Sequence, residues 1–150
     1  MKANMNTFLV FIPLIILLGI ATYTDLQSRV IPDKLSIIGL SYFLILRLFY
    51  NDQSYVHYLL GVIIGAGLLY IFAVIIPNSF GGGDIKLMSV VGMALGWQLI
   101  LLFLIIMLAF ALLYALGLKW AGYTKKSIPL APFCLAAMLM LTVILLGYLV

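Results

Sequence analysis

The chain alternates long apolar runs with short polar connections, and the lengths of the runs predict membrane helices. About 20 apolar residues cross a hydrocarbon core as a helix. Long runs fall at roughly Thr7–Tyr23, Asp33–Tyr50, Tyr55–Ile76, Gln98–Trp120 and Ile128–Val150, with a shorter one from Asp84 to Gly96 and Trp97. The pattern predicts an all-α integral membrane protein, a bundle of six transmembrane helices of which the fourth is short. Pro32 suits the first turn of the second helix, where a missing N–H costs nothing. Gly61 and Gly65, four apart, predict a face on the third helix that another helix approaches closely.

Composition agrees. Of the 150 residues, 67% are hydrophobic and 8% charged, whereas soluble domains are near half apolar and a quarter charged. No hydrophilic run is long enough for a second, soluble domain, so residues 1–150 read as a single membrane-embedded domain. Lys2 and the apolar run from Phe8 to Ile20 resemble a secretory signal. The membrane segments that follow favour a first membrane helix instead. The one cysteine, Cys134, excludes an intrachain disulfide and a Cys-rich metal site.

The net charge of +4 is spread singly or in pairs between apolar runs, which is no footprint for nucleic acid. It reports orientation instead. With six spans, Arg29, Lys34, Lys86, Lys119, Lys125 and Lys126 share one side, against Lys2 and Arg47 on the other. The positive-inside rule then predicts both termini outside and the longer polar connections in the cytoplasm. Arg47 is expected to snorkel to the outer surface. Trp97 and Trp120 read as an aromatic belt, and His57 as an interfacial residue.

This orientation puts Asp25 and Asp84 at the cytoplasmic ends of helices. Ionisable groups at membrane depth are costly and mark functional sites. Gly81, Gly82 and Gly83 precede Asp84 and remove every Cβ from its approach. Two carboxylates sharing a site do not readily both ionise, so one serves as acid while the other is a base. Such a pair activates water against a peptide carbonyl with neither metal nor covalent nucleophile. Asp33, in the same connection as Asp25, is the rival partner, although beside Pro32 it suits the start of a helix. Lys86 either anchors the helix at the headgroups or tunes the pair.

Three motifs carry a family resemblance. Gly81-Gly82-Gly83-Asp84 matches the Gly-x-Gly-Asp motif of intramembrane aspartic proteases, and continues as Ile85-Lys86-Leu87. Asp25 is followed by Ile31-Pro32-Asp33-Lys34-Leu35. Ile128-Pro129-Leu130-Ala131-Pro132-Phe133 enters the last helix, with Ala131 where the family often has glycine. Together, from about Ala21 to Phe133, these resemble the type IV prepilin peptidase family in its minimal, peptidase-only form. The resemblance implies an aspartic endopeptidase without cofactors in the cytoplasmic membrane, with Asp25 and Asp84 as the catalytic pair and Gly81, Gly82, Gly83 and Lys86 shaping the site. It implies a prepilin or pilin-like precursor as substrate, cut at the junction of a short basic leader with an apolar helix. The larger members carry an N-terminal cytoplasmic domain with paired cysteines linked to N-methylation, so methyl transfer is not expected of this chain. Contact of Lys119, Lys125 and Lys126 with anionic lipid is a lesser expectation. From the residues alone two other readings stay open, a small transporter or channel subunit using Asp84 as a relay, and a non-catalytic membrane subunit of pilus assembly or secretion.

Overall fold

The computed structural model describes residues 2–50, 53–76, 81–120 and 129–149, and the side chains of residues 8–145 among them together with residue 147. Among these residues there are five α-helices and no strand: α1 (Lys2–Ser28), α2 (Asp33–Phe49), α3 (Tyr55–Ile75), α4 (Gly82–Trp120) and α5 (Ala131–Leu149). α4 is central and packs against each of the other four. The six-helix expectation is therefore corrected to five helical elements among the described residues. The expected fourth and fifth segments are joined in one element, α4, which is broken rather than continuous.

The expected boundary survives inside α4 as a break at Gly96 (φ 79°, ψ 175°), a left-handed conformation that costs glycine little. The chain reverses there. A Cβ built on Gly65 would lie 2.8 Å from the Met88 carbonyl oxygen and 3.2 Å from Cγ1 of Ile100. Residues 88 and 100 would stand about 18 Å apart on a straight helix, so the two arms of α4 double back along α3. The arm before Gly96 runs antiparallel to α3, with Gly92 against Gly61 and Met88 against Gly65. The arm after Gly96 runs parallel to it, with Leu104, Ile105 and Leu108 lining a groove with Leu68, Leu69 and Phe72.

α3 and the first arm of α4 meet backbone to backbone. A Cβ on Gly61 would overlap the Gly92 carbonyl oxygen, and one on Gly92 would overlap that of Gly61. The Gly61/Gly65 face expected from the sequence is thus occupied. Behind it lies the apolar core, where Leu14, Leu18, Phe43, Phe103, Met107, Met138 and Leu141 are fully buried.

Three helices are long and apolar enough to cross a membrane, at Phe8–Ser28, Tyr55–Ile75 and Gly82–Trp120. α2, at 17 residues, and the apolar stretch Ala131–Leu145 of α5 are shorter. α1 continues past its expected end at Tyr23 because its polar residues are satisfied within the helix. The hydroxyl of Thr24 donates to the carbonyls of Ala21 and Ile20, and that of Ser28 to Thr24. Asp25 therefore sits on the last turn of α1 rather than in a connection. Arg29 then closes the helix in a left-handed conformation (φ 54°), its N–H donating to the Asp25 carbonyl at 2.9 Å.

Arg47 does not reach an outer surface. It is 7% exposed, its guanidinium donates to the Ala94 carbonyl, and it lies 4.2 Å above the Tyr58 ring. The break at Gly96 ends the carbonyl ladder of the first arm, and a cation at a helix C-terminus is favourable. Lys125 and Lys126, part of the charge bias, fall outside the described residues, as does Ile128.

Candidate active site

Four elements converge at the end of the bundle opposite Gly96. α1 supplies Asp25 from its last turn, and the Arg29 turn brings the chain back through Ile31 and Pro32 to α2. Asp33 opens α2, and Asp84 lies in the first turn of α4. A cleft of about 290 Å³ at this end is lined by Asp25, Arg29, Asp33, Asp84 and Lys86, with Gly81 to Gly83 and Ile31 forming its wall. Asp25 and Asp84, far apart in sequence, thus face one space.

Each carboxylate is held by a backbone N–H. Oδ2 of Asp84 accepts from the Gly81 N–H at 3.0 Å, while the Asp84 N–H donates to the Gly81 carbonyl at 3.1 Å. The first of these is the carboxylate half of a capping box, with Asp84 at the third helical position, and the second is a main-chain turn bond, since Gly81 has no side chain to supply the other half. Asp84 therefore starts its helix and faces the cleft at once. Asp25 is 7% exposed, and its Oδ2 accepts from the Ala131 N–H of α5 at 3.2 Å. A carboxylate this buried needs a donor.

Asp33 is engaged differently. Its Oδ1 accepts from Nζ of Lys86 at 2.7 Å, with both side chains largely exposed at the rim. An exposed pair of this kind contributes little stability, but it turns Asp33 toward Lys86 and ties α2 to α4 across the mouth. Of the sequence-derived site residues, the structure thus brings together Asp25, Asp84, the three glycines and Lys86. The Ala131 N–H was not foreseen as a partner of Asp25. The Pro-Phe motif marked its position, but nothing in the sequence showed what it faces.

The three glycines are not equivalent. None has a positive φ, so conformational freedom is not what they supply. A Cβ on Gly83 would meet Cβ of Ile31 at 3.1 Å, one on Gly81 would make ordinary contact with Oδ2 of Asp84 at 3.4 Å, and one on Gly82 would meet nothing within 4 Å. Gly83 lets the start of α4 lie against Ile31 and so sets the spacing between the two aspartate-bearing segments. Gly83→Val is accordingly expected to unfold several degrees below Gly82→Ala, since overpacking costs roughly 1–3 kcal/mol of stability. Thermal midpoints of the two variants check this. Equal midpoints would remove the packing role from Gly83.

Comparison with known proteins bears on this geometry. The model of the type IV leader peptidase family matches residues 12–116, which include both aspartates and the glycine loop. The prepilin leader peptidase/N-methyltransferase of Bacillus subtilis (strain 168) is 32% identical over 124 residues, covering 83% of this chain and 48% of that protein. The chain thus spans about half the length of the curated relative it matches. No solved structure matches it. With most of the chain matched and a relative of the same description, the protein belongs to the type IV leader peptidase family.

Proposed function

We propose that the protein is an aspartic endopeptidase that removes the leader of type IV prepilins or pilin-like precursors at the cytoplasmic face of the membrane, with Asp25 and Asp84 as its catalytic pair. The observation that carries the reading is the convergence of these two carboxylates on one cleft. The unprotonated member of the pair takes a proton from water as the water oxygen bonds to the scissile carbonyl carbon. The protonated member gives its proton to the carbonyl oxygen. The tetrahedral diol collapses with cleavage of the C–N bond: the now protonated member gives its proton to the leaving amine while the other takes a proton from a diol hydroxyl, which forms the acid product and restores the pair to one proton. The two aspartates exchange roles within the cycle.

The substrate fits the surroundings. A peptide must be extended to present its carbonyl, and Gly81 and Gly82 are exposed and leave room beside Asp84. The apolar helix following the leader packs against the lipid-facing surface of the bundle. A conduit through the protein is disfavoured, because Leu87, Met88, Val90, Val91 and Ala94 between the cleft and the Gly96 break are packed apolar residues.

The test is co-expression with a candidate precursor in a host lacking its own prepilin peptidase, reading leader loss by mass. Wild type and Asp33→Asn are expected to release the leader, and the Asp25→Asn/Asp84→Asn double variant is not. Cleavage by the double variant would overturn the proposal.

A further inference from the structure

Asp84 is held from within its own helix turn, whereas Asp25 is held from the start of α5, 106 residues away in sequence. The start of α5 is arranged to give that bond a single donor. Leu130 is the residue at which the helix is entered, and its carbonyl accepts the N–H groups of Phe133 at 3.0 Å and Cys134 at 3.2 Å. Pro132 has no N–H. Across residues 131–133, the one N–H directed out of the helix is that of Ala131, and it points to Oδ2 of Asp25. The positive end of the helix dipole lies behind it. Leu130, Ala131 and Cys134 are buried, so water does not compete for this contact.

We infer that Ala131 is a positioning residue for Asp25: its main-chain N–H fixes Oδ2 and leaves Oδ1 as the oxygen through which Asp25 takes and gives protons in the reaction. This rests on the reading of Asp25 and Asp84 as the catalytic pair and adds α5 to the machinery. The contact is made by the main chain, so the Ala131 methyl takes no part in it. The entry to α5 carries proline at 129 and 132 but not at 131.

Ala131→Pro removes the donor at the first position of the helix, where proline is tolerated, and sets its Cδ where the hydrogen faced Oδ2. It is expected to lower kcat about 10- to 100-fold with KM changed less than about threefold, the loss of one hydrogen bond to a charged group. Ala131→Gly keeps the N–H and is expected to rescue turnover to near the wild-type rate. A kcat for Ala131→Pro within about twofold of wild type, alongside an inactive Asp25→Asn, would overturn the positioning role and leave the catalytic pair intact. An active Asp25→Asn would overturn the pair itself. Thermal unfolding gives a second reading, which stands even where Ala131→Pro does not accumulate. Asp25→Asn keeps an acceptor for the Ala131 N–H and Asp25→Ala does not, so the alanine variant is expected to melt several degrees lower. Equal midpoints would overturn the contact.

Discussion

Asp84→Asn is expected to reduce precursor cleavage by at least about a thousandfold while the protein inserts, folds and melts as wild type does. The amide cannot take or give the proton that hydrolysis moves, and acid–base groups contribute about 100- to 10,000-fold each. It keeps the shape of the carboxylate and an oxygen to accept the Gly81 N–H, which aspartate accepts at 3.0 Å. The start of α4 thus stays capped, and substrate affinity is expected to change little. Initial rates and melting curves on purified protein measure the two effects separately. A variant retaining a tenth of wild-type turnover would remove Asp84 from the chemistry, and one that is inactive because it unfolds would show as a shifted midpoint.

The second large effect is expected far from the cleft. Gly92→Leu is expected to abolish folded protein in the membrane or lower its unfolding midpoint by more than about 10 °C. A Cβ at Gly92 overlaps the Gly61 carbonyl oxygen and would stand 2.9 Å from the Val62 nitrogen. The obstacle is main chain, which does not swing aside as a side-chain terminus does. Helix pairs in membranes depend on this close approach, because lipid supplies no hydrophobic drive to bring them together. Gly67→Leu is the control: a Cβ there meets nothing within 4 Å, and its midpoint is expected to stay within a few degrees of wild type. Equal midpoints for the two variants would mean that the Gly61–Gly92 contact contributes little to folding.

Much of this was legible along the chain. The apolar runs located the helices, Gly96 was marked as a boundary, and the Gly61/Gly65 spacing identified the face on which α4 lies. The misses share a cause. Thr24 and Ser28 read as loop residues because their polarity was visible while their bonds to helix carbonyls were not. Arg47 read as a surface cation because the carbonyl it serves exists only once the chain breaks at Gly96. The Gly96 boundary is a true break, but the two arms meet at that residue with no connection between them, so they join as one element. For the site, the carboxylates and glycines were identified from their motif. Their convergence depends on how α1 and α4 pack, and the Ala131–Asp25 bond on a contact across 106 positions. Periodicity describes one helix at a time and is silent on both.

The antiparallel register of α3 with the first arm of α4 has a consequence for the length of a substrate. Gly61 lies against Gly92 and Gly65 against Met88, so Asp84 stands level with Leu69. α3 continues to Ile75, about 9 Å beyond that level at 1.5 Å per residue. Asp84 therefore stands short of the end of α3, although the cleft itself is walled by Gly81 to Gly83 and Ile31. A chain covers that distance with about three extended residues. On the proposed reading, a substrate helix that ends level with Ile75 would need a flexible stretch of that length to bring its carbonyl to Asp84.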